Sequence, residues 1–62
     1  MDILIRCIKS KAVSGKYVFE ANTTYKAKIL ANQKVQFSNK YNESIELDLK
    51  EFNYYFVLIK QV

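Results

Sequence analysis

Along much of this chain apolar and polar side chains alternate with a period of two, the pattern of strands with one covered and one wet face. Tyr25, Ala27 and Ile29 alternate with Thr24, Lys26 and Lys28; Val35 and Phe37 alternate with Lys34 and Gln36; Ile45, Leu47 and Leu49 alternate with Glu46 and Asp48. Asn32-Gln33 and the stretch from Asn39 to Asn42 interrupt these runs with residues that favour turns. Because side chains on a strand change face at every residue, parity fixes the register. Ile29 must oppose Val35 and Ala27 must oppose Phe37, which leaves a three-residue loop, Ala31-Asn32-Gln33. Phe37 then opposes Ile45 and Val35 opposes Leu47, around a longer turn at Tyr41. These runs form a three-stranded meander whose covered face should hold Tyr25, Ile29, Phe37, Ile45 and Leu47.

The two ends of the chain follow another rule. Ile3-Leu4-Ile5-Arg6-Cys7-Ile8 and Tyr54-Tyr55-Phe56-Val57-Leu58-Ile59 are apolar on both faces of a strand. Such a run is covered on both sides, or it leaves a face for another chain. Periodicity alone also allows a helix over 54–59; short length and aromatic and β-branched content favour a strand. Leu49 to Asn53 lacks alternation and fits one helical turn that sets Phe52 into the core. Lys11 to Gly15 reads as a mobile loop. The expectation is an all-β chain of five short strands with a helical turn near residues 49–53. It forms one domain over residues 1–62, either a small barrel or a strongly bent antiparallel sheet.

Length limits how much burial such a domain can achieve. A chain of 62 residues hides only about 60% of its unfolded surface. Half of the residues are hydrophobic, enough for one core. No apolar run approaches the roughly 18 residues needed to span a bilayer, and no basic segment precedes Ile3-Leu4-Ile5, so the expected compartment is the cytoplasm. Cys7 is the single cysteine and histidine is absent. An internal disulfide, a four-ligand zinc site and any histidine-based nucleophile system are therefore excluded. Cys7 itself reads as a buried core thiol. Gly15 is the only glycine, so there is no glycine-rich phosphate loop. Glu46 and Asp48 fall on one strand face about 6–7 Å apart, a spacing that glycosidase carboxylates also use. A filled domain of this size offers no cleft to exclude water, and the pair reads as part of a solvated face. Neither catalysis nor a cofactor is expected.

A family resemblance adds to this reading. Cys7-Ile8-Lys9, then Phe19 with Thr24-Tyr25-Lys26-Ala27, a polar meander, and then Phe52 and Phe56 together resemble the small SH3-like β-barrel proteins of bacteriophages and prophages. Asn22-Thr23-Thr24 stands where those proteins usually carry a glycine. The resemblance implies an SH3-like barrel and an accessory protein of a bacterial host's cytoplasm. It further implies action by protein–protein contact, in some cases as an inhibitor of a host enzyme or defence system.

Charge opens a second reading. Residues 1–41 carry eight basic and two acidic side chains, whereas residues 42–62 carry two basic and four acidic ones. A basic face interleaved with rings suits nucleic acid, and Tyr17, Phe19 and Tyr41 are the rings at hand. The derived register sets Lys28, Gln36 and Glu46 in one outward row, and Leu30, Lys34 and Asp48 in the next. Acids beside lysines make a solvated face with little net field. Lys9, Lys11 and Lys16, with Tyr17, remain unpaired as the candidate anion or nucleic-acid contacts. Two function classes follow. One is a protein-binding module whose surface for a partner or for itself is Tyr54, Tyr55, Val57 and Ile59, favoured by the aromatic surplus. The other is a small basic nucleic-acid-binding barrel.

Overall fold

The computed structural model describes all 62 residues. The meander appears in the register that parity requires. Strands β4 (Thr24–Ile29), β5 (Val35–Ser38) and β6 (Ser44–Leu47) pair antiparallel, with Ala27 opposite Phe37, Ile29 opposite Val35, Phe37 opposite Ile45 and Val35 opposite Leu47. The three-residue loop closes as expected: the Gln33 N–H donates to the Leu30 carbonyl at 2.9 Å and the Leu30 N–H to Lys34 at 2.8 Å. Gln33 takes a left-handed backbone, φ 64°, the closing position of a three-residue hairpin loop. Asn42, φ 61°, does the same after Tyr41.

Strand β1 (Asp2–Cys7) joins the far side of β4, and β7 (Phe56–Gln61) joins β1, giving a five-stranded antiparallel sheet in the order β6-β5-β4-β1-β7. Between β6 and β7 runs the helix α1 (Leu49–Tyr55), started by Asp48, whose Oδ1 accepts from the Glu51 N–H at 2.8 Å. Seven helical residues span only about 10 Å, whereas the edges of a flat five-stranded sheet lie roughly 19 Å apart. A helix this short can join the two edge strands only if the sheet curls. The sheet stays open, because β7 bonds β1 and not β6. The bent sheet is thus the form adopted, and the closed barrel is not.

Lys11 to Gly15 is no mobile loop: β2 (Lys11–Val13) and β3 (Lys16–Phe19) form a second, two-stranded sheet. Ser14 (φ 54°) and Gly15 (φ 76°) make the two-residue turn with both backbones left-handed, the twist that matches a tight hairpin. Tyr54 and Tyr55 belong to the last turn of α1, and the closing strand starts only at Phe56. Once α1 is capped at Asp48, it holds its hydrogen bonds until the Phe56 N–H, which still donates to the Phe52 carbonyl.

The core lies between the inner face of the five-stranded sheet and a cover made by the hairpin and α1. Phe19 from β3 meets Phe37, Tyr55 and Phe56 at centroid distances of 6.0, 5.1 and 4.9 Å, and Phe52 stacks on Phe56 at 5.7 Å. Ile3, Ile5 and Cys7 supply the centre from β1. Of the five meander residues expected to be covered, Phe37 and Leu47 are buried, and Tyr25 and Ile45 are only partly so. Ile29 is exposed. It lies one residue past the last β1 pairing, Asp2 with Lys28, so its neighbour on that side is the exposed Met1.

Candidate functional site

The C-terminal candidates divide between two elements. Tyr54 projects from the end of α1 into solvent, while Tyr55 packs edge-on against Phe19. Beyond them, β7 turns Phe56 inward and leaves Val57, Leu58 and Ile59 exposed by 43, 53 and 47%. This strand borders β1 alone, so its outer edge is free. A register irregularity sets Leu58 opposite Ile5 and Lys60 opposite Leu4, with Ile59 as the extra residue. The sheet's other edge, β6, is four residues long and carries Glu46, the short charged form that discourages pairing with other chains. Of the two edges, β7 is the longer and the more apolar.

The basic candidates gather against the same corner. Lys9 Nζ sits 4.0 Å from the centre of the Tyr54 ring, and Lys11 Nζ lies 5.8 Å from that of Tyr55. An exposed cation over a ring contributes on the order of 0.5–1 kcal/mol. The N–H groups of Ile8 and Lys9 both donate to the Tyr55 carbonyl, at 2.7 and 3.3 Å. The segment after β1 is therefore tied to the end of α1, and two candidate surfaces far apart in sequence become neighbours. Lys16 belongs elsewhere and is not unpaired. Its ammonium pairs with Glu43 at 3.0 Å and lies 4.3 Å from the Tyr41 ring centre. Tyr17 is half exposed on β3, as a stacking residue must be, whereas Phe19 is core.

Around Lys16 the polar groups form a buttress. Asn39 is 5% exposed. Its Oδ1 accepts from the Tyr41 and Glu43 N–H groups, both at 3.0 Å, and its Nδ2 donates to the Val18 carbonyl at 3.0 Å and to Glu43 Oε1 at 2.9 Å. One side chain thereby ties the β5–β6 turn to the covering hairpin. The Asn39 amide, and then Lys16, hold the Glu43 carboxyl below the usual glutamate range. Beside it Lys40 pairs with Glu20 at 2.6 Å, which raises the lysine above its ordinary value. An asparagine-bounded turn signals polar residues, and nothing in the sequence distinguishes Asn39 as the buried one.

The carboxylate pair does not survive folding. Strand β6 ends at Leu47, so Glu46 stays on the sheet while Asp48 turns to cap α1. No group of three or more metal-ligating side chains comes together, and no helix is long and apolar enough to cross a membrane. Cys7 is fully buried; its thiol donates to the Lys9 carbonyl at 3.0 Å, and burial pushes its pKa up. It is a core residue, as its apolar neighbours in sequence indicate.

The charge balance of the outer face also differs from the expected one. Lys28, Gln36 and Glu46 do share a row, but Gln36 stands between the two charges and its Nε2 donates to Ser44 Oγ at 3.0 Å. With Asp48 withdrawn, no lysine on this face has an acid within ion-pairing distance; the only two ion pairs are Lys16–Glu43 and Lys40–Glu20. No protein family, curated protein or solved structure matches the chain.

Proposed function

We propose that this protein is a non-enzymatic binding module that contacts other polypeptides through the free edge of β7. The observation that carries this reading is the run Val57-Leu58-Ile59, three aliphatic side chains about half exposed on an unpaired edge. An edge strand presents a row of free N–H and C=O groups, to which an extended segment adds by main-chain hydrogen bonds, with side-chain contacts supplying preference. A second copy of the chain is the occupant this geometry favours. Two β7 strands related by a two-fold axis normal to the sheet run antiparallel and must centre on a residue for facing side chains to share a side. Centred on Leu58, the pairing sets Leu58 against its own copy and Val57 against Ile59, and it ends there, because the extra residue Ile59 turns Lys60 to the outer face while Phe56 points inward.

Burying a whole aliphatic side chain contributes about 1.5–3 kcal/mol, so the exposed halves of three contribute roughly 2–4 kcal/mol from each copy. Ordering and association costs offset much of this, and the dimer is weak and concentration-dependent. The resemblance to phage accessory proteins extends the reading: the same edge would take a strand of a host protein and inhibit it.

Light scattering across a concentration series tests the proposal. The mass of 7.3 kDa should rise toward that of a dimer, and Leu58→Lys should abolish the rise while the circular dichroism spectrum stays unchanged. A strict monomer at millimolar concentration would overturn it.

A further inference from the structure

We infer that the outer face of the five-stranded sheet is a sequence-independent docking surface for the phosphate backbone of duplex nucleic acid. The face is defined by parity: Ile3, Ile5, Cys7 and Ala27 point into the core, so Arg6, Lys26 and Lys28 point away from it. Lys60 joins them because the β7 irregularity places it opposite Leu4, which also faces Lys26 across the other strand boundary. Four cations therefore lie on three adjacent strands, within roughly 10 Å across the sheet and 14 Å along it, given the usual strand spacing and rise.

None of the four is engaged by an acid. The two ion pairs of the molecule, Lys16–Glu43 and Lys40–Glu20, include none of these cations, and Arg6 makes only a long 3.4 Å contact with the Asn22 amide oxygen. Asp2, opposite Lys28, is the one carboxylate among them. Folding itself produces this imbalance, by drawing Asp48 into the helix cap and leaving Glu46 two strands away from Lys28.

A groove crosses the same face. Lys26, Lys28, Gln36, Ser38, Ser44 and Asp2 supply its polar lining, and only Ala27 and Phe37 are apolar. The two lysine ammonium groups, with amide and hydroxyl groups beside them, suit phosphate oxygens and outnumber the Asp2 carboxylate. The Phe37 ring is turned into the core against Phe19 and no aromatic side chain is exposed on this face, so there is no platform on which unpaired bases could stack. Contacts to the regular backbone of a duplex, without base reading, are what remains. This surface lies apart from Lys9, Lys11 and Lys16, where sequence alone placed the anion contacts, and it does not depend on pairing at β7.

The test is fluorescence anisotropy with a short labelled duplex of arbitrary sequence, titrated at several salt concentrations. Four phosphate contacts give a slope of log K against log salt of about −3.6, roughly a 150-fold loss of affinity between about 50 and 200 mM. Replacing both Lys26→Gln and Lys28→Gln should halve that slope, leaving a loss of roughly 12-fold. Replacing both Lys9→Gln and Lys11→Gln, an equal change in net charge, should leave the slope unaltered. All four lysines lie outside the core, and circular dichroism checks that each variant is folded. Equal effects of the two pairs would reduce the binding to net charge and overturn the inference. So would absence of binding at about 50 mM salt, or retention on anionic vesicles with none on the duplex.

Discussion

Replacing Asn39 with alanine should cost this domain much of its stability, although the residue lies in a turn and contributes no apolar surface. Four hydrogen bonds of 2.9–3.0 Å converge on its amide, each worth about 0.5–1.5 kcal/mol net. Water can replace part of what the Tyr41 N–H loses, because Tyr41 is 45% exposed. The Val18 carbonyl is less fortunate, being half-buried under the hairpin. The sum is about 3 kcal/mol, close to the whole stability that a single core supplies at this size. At about 4–8 °C per kcal/mol for a domain of 60–100 residues, the thermal midpoint should fall by roughly 12–24 °C. Thermal unfolding followed by circular dichroism reads this directly. Asn39→Asp makes a sharper companion. It keeps the two acceptor contacts, loses both donors and sets a second carboxylate against Glu43. Its loss at neutral pH should match or exceed that of Asn39→Ala and shrink as the pair is protonated. A shift under about 5 °C for Asn39→Ala would mean that solvent satisfies the turn, and the buttress would not hold the hairpin.

Two further expectations concern titratable groups. The Glu43 pKa is lowered in the fold, so its contribution is complete above the usual value of 4.5 and disappears as pH falls through the folded value; the thermal midpoint should drop below pH 4.5, less so in Glu43→Gln, and an unchanged acid profile in that variant would refute the assignment. Cys7 is buried with its pKa raised, so a thiol reagent should label it only at the rate of global opening, and fast labelling of native protein would contradict the packing.

How far the sequence carried depended on the range of the forces involved. The β4–β5–β6 register was legible because parity is a local property: a shift by one residue would bury Lys28 or Gln36, and the short loop at Ala31-Asn32-Gln33 limits the shifts by two. Two local signals were present and passed over. Asp48-Leu49-Lys50-Glu51 carries the Asp-x-x-Glu spacing of a helix start, and it accounts for Tyr54 and Tyr55 ending a helix. Ser14-Gly15 between Val13 and Lys16 is a two-residue hairpin turn, read instead as a mobile loop. Other features were beyond any local reading. That β1 lies between β4 and β7, leaving β7 as a free edge, depends on long-range pairing of Ile3 to Cys7 with both ends of the chain. Which of several asparagines is buried depends on a hairpin some twenty residues earlier closing over Asn39. The net field of the outer face follows from the first of those local signals: strand alternation places Asp48 beside the lysines, and its role as the cap of α1 withdraws it. Alternation fixes which side of a strand a residue takes; what lies opposite that side is decided by contacts between segments distant in sequence.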